Sequence, residues 1–427
     1  MTILWFLDLD PVYGMRNGAT LRYANYSRAL VSAGHRVCYV LTNYPGKDPS
    51  QRRDYLTRLQ AEGYLSEFFE FDIDSVPRRA SVLASLTVYP AFRDRVLARY
   101  REDLRRRVHG LIERVAADAC ILSHRVWLFL SEDLARRTAL IIDWCDSQAL
   151  FQLRELQVRR RSRNVRAESL PRTLRILAES VAEEGFYGRY ADANIAVSPG
   201  DKRALDRLNG NASRNFVMAN GVGITAPPET PGDKGVDRLI FTGSMNFPPN
   251  YQGAIWFIDN VLPLLVRQRP GARLVIAGQE PVAELISRAN DRVTVTGLVP
   301  DIRAEISKSR LYVAPLVSGT GFRNKIVEAL ASGTYVVGTT LALDFLDERF
   351  RSRMLTGDTP AELAAAILTF LEDPASFDTR LRELVGLVRE TFPWELRVRE
   401  FVELCERVVS ARAQAGATRF SAVRPMG

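Results

Sequence analysis

The stretch Pro315-Leu316-Val317-Ser318-Gly319-Thr320-Gly321-Phe322-Arg323-Asn324-Lys325 has the makings of an anion site. Gly319 and Gly321 let the backbone curl so that successive amides converge on one point. The pattern that follows, residues 326–331, reads as a helix whose positive end stands behind the turn. Arg323 and Lys325 fall in its first turn, where cations oppose the helix dipole. That placement implies an external anion that offsets the cost. Glu328 lies one turn on, and a carboxylate there can accept hydrogen bonds from two neighbouring hydroxyls, as a ribose offers. The turn is not a Walker loop, since GxxxxGK[ST] is absent, and no GxGxxG follows the first apolar run. A glycine-rich turn that only caps a core helix is the structural alternative.

Other turns carry related signals. Gly243-Ser244, Gly278 and Gly297-Leu298-Val299 each follow a short apolar run at 238–242, 273–277 and 293–296. In the first half, residues 10–20 form a loop containing Gly14 and Gly18, ahead of a helix that carries Arg22. His124 ends the run Cys120-Ile121-Leu122-Ser123 and is a candidate site residue, or a structural histidine at a strand end. Asp8/Asp10 and Asp143/Asp146 have DxD-like spacing. Asp-rich strand ends are common, so no metal site is assigned, though Asp143 or Asp146 suits an acceptor hydroxyl. Glu183 and Glu184 read as a solvated helix face, with contact to an acceptor as the alternative, and Ser198 with Asp201 as a helix cap.

These turns need elements to position them. Apolar runs at 3–7, 37–41, 120–122, 140–143 and 193–197 alternate with helical patterns, as at 23–33, which Gly34 stops. After 216–218, Asn220-Gly221-Val222 makes a turn, and residues 226–235 form a Pro/Gly-rich linker. The alternation then restarts, with strands at 238–242, 273–277, 293–296, 311–314 and 335–337. Helices are expected at 254–267, 325–331, 360–372, 378–390 and 394–413. Strands separated by helices imply parallel sheets. The expected organisation is a first domain over 1–222 with the helix 394–413 returning to it, a second domain over 223–393, and a loose tail at 414–427. Two such domains would place a ligand cleft at the carboxyl ends of their strands.

Composition bounds the rest. The chain has 427 residues, 46% of them hydrophobic and 25% charged, which fits globular domains. The longest apolar stretches are shorter than a bilayer span requires, and no basic segment precedes the first apolar run. Four scattered cysteines fit a reducing compartment, hence a cytoplasmic location. The net charge is +8, and residues 151–175 hold eight arginines against two glutamates. Within it, Arg159, Arg160, Arg161 and Arg163 form the densest run. Aromatics do not interleave with these arginines, so nucleic acid is not an expected partner. A solvated helix face, or contact with an anionic membrane or phosphorylated acceptor, remains.

Taken together, the block Gly319-Thr320-Gly321-Phe322-Arg323-Asn324-Lys325-Ile326-Val327-Glu328-Ala329-Leu330-Ala331-Ser332-Gly333, residues 241–250 and the turns at Gly278 and Gly297 resemble glycosyltransferases of family four, and most closely those of bacterial exopolysaccharide clusters. Gly34-His35-Arg36-Val37, Asn220-Gly221-Val222 and Phe392-Pro393-Trp394-Glu395 are similar to landmarks of the same group. The resemblance implies an α/β protein of the GT-B fold, two Rossmann-like doubly wound parallel-sheet domains facing a central cleft. It implies retaining transfer of a sugar from a nucleotide-diphosphate sugar to a glycan or polyprenyl-linked acceptor, with no cofactor and no metal.

The resemblance also carries roles. Gly319, Thr320, Gly321 and Phe322 would meet the diphosphate or donor sugar, with Arg323 and Lys325 balancing its charge. Glu328 would grip the ribose, Gly18, Gly243, Ser244 and Gly278 would adjoin the donor, and Gly297, Leu298 and Val299 would lie against the base. His124 would stand near the donor sugar. Two departures stand out. The first Glu of the family's E-x7-E motif is Thr320, and the Arg and Lys usual after the Gly243 turn are missing, which leaves Arg323 and Lys325 as their substitutes. A nucleotide-sugar epimerase of the same architecture, or a donor-binding scaffold without catalysis, are the alternatives.

Overall fold

A computed structural model describes residues 1–8, 18–43, 50–72, 88–161, 170–223 and 235–421. It divides into two compact units. One comprises Met1–Leu150, Leu174–Asn220 and Glu395–Gly427, and the other Phe151–Thr173 and Gly221–Trp394. Residues 151–173 therefore group with the second unit, whereas the sequence reading gives them to the first.

In the first unit seven strands form a parallel sheet among the described residues: β1 Thr2–Phe6, β2 Arg36–Asn43, β3 Glu67–Asp72, β4 Ala119–Leu122, β5 Ala139–Cys145, β6 Ala193–Ala196 and β7 Asn215–Val217. Their order is β3-β2-β1-β4-β5-β6-β7. Ile3, Leu4, Trp5 and Phe6 are all fully buried, as a parallel strand covered by helices on both faces requires. Leu4, Phe6, Cys38, Val40, Cys120, Leu122, Leu140 and Ile142 pack with Val108, Leu111, Trp127 and Leu134 into one core.

The sequence reading passes over β3 and the helix Ser50–Ala61. β3 is an edge strand in which Phe68, Phe69 and Phe71 are interrupted by Glu67, Glu70 and Asp72. Glu67 pairs with Arg36, and Glu70 pairs with both Arg52 and Arg53. No continuous apolar run marks it, because ion pairs do part of the work of burial.

The second unit has β8 Gly235–Thr242, β9 Arg273–Ala277, β10 Val293–Gly297, β11 Ser309–Ala314, β12 Val336–Gly338 and β13 Leu355–Thr356, all parallel, in the order β10-β9-β8-β11-β12-β13. The order reverses between β8 and β11, and such a switch point opens a crevice beyond the carboxyl ends of the strands. The expected single helix at 254–267 is instead Pro248–Trp256, a π turn Phe257–Val261 and Leu262–Gln268. Pro248 and Pro249 start it early because proline suits the first helical turn. Two landmark segments far apart in sequence meet here. Val222 bridges Pro393, and a Cβ on Gly221 would lie 2.4 Å from the Trp394 ring. The last helix, Trp394–Ser421, continues past the expected end at 413, into the stretch read as a loose tail.

Candidate active site

Three glycine turns come together at the carboxyl ends of β8, β9 and β10. Gly243 donates its N–H to Ala277 O at 3.1 Å, and Gly278 donates to Gly297 O at 2.9 Å. Met245 then donates to Gln279 O at 2.8 Å. A Cβ on Gly278 would stand 1.7 Å from Gly243 O, so two backbones touch where no side chain fits. Gly278→Ala is therefore expected to cost at least about 3 kcal/mol. Gly297→Ala, where a Cβ meets nothing within 4 Å and only the φ of 68° is unfavourable, should cost about 1 kcal/mol. Urea unfolding of the two variants checks the contrast.

The fourth turn, 315–323, follows β11 across the switch point. Ser318 is buried and donates to Gln252 Oε1 at 3.3 Å. Phe322 packs edge-on against Phe345 and Phe392, at 4.9 and 5.1 Å between ring centres. Its side chain thus anchors the loop in the core, and only its backbone is left for a ligand. Among the described residues no hydrogen bond uses the N–H of Thr320, Gly321 or Phe322. The buried Oγ1 of Thr320 also lacks a partner. The helix Asn324–Ala331 starts directly behind, with no side-chain cap and no acid in its first turn. Consecutive free amides beside an uncapped helix N-terminus make a concavity of positive partial charge.

Lys325 lies against the Gly243 turn. Its ammonium donates to Asn250 Oδ1 and stands 4.8 Å over the Phe241 ring. A Cβ on Gly243 would come within 2.9 Å of Nζ. Asn250 in turn donates to Ser244 O at 2.9 Å, so one side chain ties the lysine to the first glycine turn. Burial, with some repulsion from Arg323, pushes the Lys325 ammonium down to about 7, while Glu328 partly opposes this. Burial pushes the Glu328 carboxyl up, against the pull of Arg303 and Lys325.

Arg323 does something else. It is only 5% exposed, and its Nη1 donates to Asp344 Oδ1 at 2.7 Å and Gly321 O at 2.8 Å. Its guanidinium braces the loop, a correction to the expectation that it balances a diphosphate on equal terms with Lys325. The sequence reading also misses three residues that shape the site. Asn250 and Asp344 meet it across long stretches of chain, and Arg154 donates to Gly319 O at 2.7 Å and to Asp344. Nothing in local spacing pairs residues 165 positions apart.

Comparison with known proteins matches this region. The family model described as "Glycosyl transferases group 1" covers residues 236–373. The second unit carries a group 1 glycosyltransferase domain. Among curated relatives, a phosphatidyl-myo-inositol mannosyltransferase of Mycolicibacterium smegmatis is 27% identical over 232 residues, 51% of this chain and 58% of that protein. An uncharacterized protein in the cps region of Klebsiella pneumoniae is 23% identical over 113 residues, 24% of this chain and 29% of that protein. The matches thus span less than two thirds of either relative's length. Among solved structures, Anabaena HepE in complex with UDP has a TM-score of 0.64 at 17% identity, covering 95% of this chain and 100% of its own. Sucrose-phosphate synthase from Thermosynechococcus elongatus has a TM-score of 0.66 at 15% identity, covering 96% and 99%. The whole chain has the GT-B fold.

Within the glycosyltransferase domain, Gly243, Ser244, Gly278, Gly297, the 319–322 turn, Lys325 and Glu328 belong to one end of one sheet. Leu298, beyond β10, is 69% exposed, an apolar side chain left uncovered beside these turns. Val299 follows Leu298 in the same unit, Gly18 and His124 lie in the first unit, and the densest arginine run lies in part outside the described residues. Gly18 opens the helix Gly18–Ser32, and the loop before it lies outside the described residues. His124 follows β4, and its Nε2 stands 3.6 Å from the carboxylate of Asp8, which follows β1. Its Nδ1 accepts from Val126 N–H at 3.4 Å, which leaves the proton on Nε2, toward Asp8. Burial pushes the imidazole pKa down, against the pull of Asp8 and with repulsion from Arg125. The side chains of Arg159, Arg160 and Arg161, and all of Arg163, lie outside the described residues.

Two expectations for carboxylates are corrected. Asp143 is 2% exposed and pairs with buried Arg22 at 3.0 Å, so it is a counter-ion and not an acceptor contact. Glu183 and Glu184 are buried, not a solvated face. Arg93 and Arg125 clamp Glu183 at 2.7 and 2.6 Å. Glu184 accepts from Ser147 Oγ at 2.6 Å and Ala149 N–H at 3.0 Å, capping the helix Gln148–Arg161. Burial pushes Glu184 up to about 7. Ser198 does cap the helix Pro199–Asn209, as its spacing to Asp201 suggests.

Proposed function

We propose that this protein is a glycosyltransferase that moves a sugar from a nucleotide-diphosphate sugar to a glycan or polyprenyl-linked acceptor, with retention and without a metal. The observation that carries the reading is the run of free amides at Thr320, Gly321 and Phe322, at the N-terminus of the helix that brings Lys325 to the Gly243 turn. That arrangement suits the charge that develops on a departing diphosphate. HepE, whose fold this chain shares, has been solved with UDP and with UDP-glucose, which supports a UDP-sugar donor. The mannosyltransferase relative supports an acceptor attached to lipid.

In the reaction, the bond from the anomeric carbon to the diphosphate oxygen breaks and its electron pair leaves with the diphosphate. The acceptor oxygen bonds to the same carbon from the same face. Its proton passes to the leaving phosphate oxygen, so no strong protein base is required. Lys325 and the loop amides hold the leaving charge, and Glu328 takes the ribose hydroxyls. The buried, unpartnered Thr320 hydroxyl replaces a carboxylate at the sugar end and sets which donor is accepted. Among the described residues no helix is long and apolar enough to cross a membrane. The reading places the enzyme in the cytoplasm, at the inner membrane face. Its product belongs to exopolysaccharide or cell-surface glycan assembly.

A thermal-shift screen against UDP, GDP, ADP and TDP sugars tests the donor. A ligand at a hundred times its Kd stabilises by about 2.7 kcal/mol. Nucleotide release that depends on an added acceptor supports transfer. Binding without turnover points to a scaffold, and a free sugar product without acceptor points to an epimerase. Glu328→Ala should raise the donor KM roughly 10- to 100-fold, as lost hydrogen bonds to a charged group worth about 1.5–3 kcal/mol do. Steady-state kinetics beside an unchanged melting curve reads this out.

A further inference from the structure

Asp344, which ends the helix Thr340–Leu343, sits between two arginines that the sequence keeps apart. Its Oδ1 accepts from Arg323 Nη1 at 2.7 Å, and its Oδ2 accepts from Arg154 Nη2. Each arginine also holds the glycine turn by its carbonyls. Arg154 Nη1 donates to Gly319 O at 2.7 Å, and Arg323 donates to Gly321 O at 2.8 Å and to Gly319 O at 3.4 Å. Arg323 is 5% exposed, and the side chains of Arg154 and Asp344 are 15% and 22% exposed.

The geometry of the peptide plane gives this clamp a consequence. In a trans peptide the C=O of one residue and the N–H of the next point in opposite directions. Holding Gly319 O against the arginines therefore turns the Thr320 N–H away from them. Holding Gly321 O does the same for the Phe322 N–H. These belong to the run of amides left without a partner. Gly319 and Gly321 have φ of 102° and 82°, which allows both carbonyls to face the same clamp. Without Asp344, two guanidinium groups would repel each other within the same few ångströms.

We propose that Asp344 and Arg154 are positioning residues for diphosphate binding. They fix the peptide planes of the 319–322 turn so that its amides are aimed at the ligand before it arrives. Neither residue touches the donor in this scheme. The proposal rests on the donor-binding reading above and extends it to residues outside the glycine motif.

The test is titration of the wild type, Asp344→Asn, Asp344→Glu and Arg154→Met with UDP, GDP, ADP and TDP, each beside its parent nucleoside. Wild type is expected to bind one diphosphate best. Asp344→Asn should weaken that diphosphate at least tenfold while the parent nucleoside binds as before, because only the phosphate subsite is disturbed. Asp344→Glu, which keeps the charge, should recover part of the loss, and Arg154→Met should weaken the diphosphate in the same selective way. If Asp344→Asn fails to fold, Arg154→Met carries the same comparison. Equal or tighter diphosphate binding in the folded variants overturns the proposal, since it would mean that Asp344 only masks arginine charge. An equal loss for nucleoside and diphosphate overturns it too, as a general structural effect. A wild type that binds none of the four overturns the donor reading and this proposal with it.

Discussion

Lys325→Met should lower kcat/KM for the donor roughly 10²- to 10³-fold, the range seen when one preorganised donor to a developing negative charge is removed. The pH dependence carries the more specific signature. In the free protein the Lys325 ammonium titrates near 7, because burial and Arg323 disfavour its charge. A diphosphate favours the charged form and raises that value. Affinity is then fully present below about pH 7 and falls above it, by up to a decade per unit until the raised value is reached. At pH 8, binding should take up nearly one proton per nucleotide, read by calorimetry in two buffers of different ionisation enthalpy. Lys325→Arg should flatten the profile, since arginine does not titrate there. The stability of the free protein moves the other way. Between 7 and the ordinary lysine value the unfolded chain binds the extra proton, so this group makes the fold more stable as pH rises. Melting temperature and nucleotide affinity should therefore diverge from pH 7 to 9. A parallel fall of both would sink the assignment.

Much of this site is legible in the sequence because its determinants are local. A glycine pair, a helix start and a carboxylate one turn later are read within fifteen residues, and backbone geometry does the rest. The strands are legible for the same reason: Ile3–Phe6-type runs, buried on both faces, leave an unbroken apolar signature. What the sequence hides is long-range pairing. Arg323 looks like a ligand for phosphate until Asp344 and two loop carbonyls are seen around it. Arg154 looks like one more member of a basic run until its guanidinium is found on Gly319 O. Glu183 has the polarity of a surface residue, yet two arginines make its burial tolerable. In each case the residue type is compatible with solvent or ligand, and only a partner far along the chain decides otherwise.

The arginine surplus takes on a different meaning as a result. A net charge of +8 invites an anionic partner, and part of the chain does present one with free amides and Lys325. Yet many arginines are spent internally: Arg22, Arg52, Arg93, Arg154, Arg238 and Arg323 all hold carboxylates while largely shielded from water. Arginine suits this use because its planar fork satisfies a carboxylate and a carbonyl at once. Counting charge along the chain therefore overstates what is left for a membrane or acceptor.

Asp143→Ala should be the most destabilising substitution in the first unit, at about 3–5 kcal/mol, the cost of leaving a buried charge without its partner. Arg22 is fully buried. It gives Nε to Asp143 at 3.0 Å, Nη1 to Met218 O at 2.6 Å, to Tyr26 Oη at 3.1 Å and to Asn220 Oδ1 at 3.1 Å. Three segments of chain thus converge on one guanidinium: the helix after β1, the end of β5 and the turn after β7. Tyr26 stacks on Phe401 at 4.2 Å, which links the last helix to the same cluster. The pair's Coulomb attraction is offset by the desolvation of both ions, so its net worth is small, while breaking it is costly. That asymmetry gives the measurement. Urea unfolding of Asp143→Ala and of Arg22→Met should each show a loss near the full amount, and the double variant Arg22→Met/Asp143→Leu should recover most of it. Additive losses would mean that the two side chains contribute separately, Arg22 chiefly through its hydrogen bonds to Met218 and Asn220, and that Asp143 is open to another role.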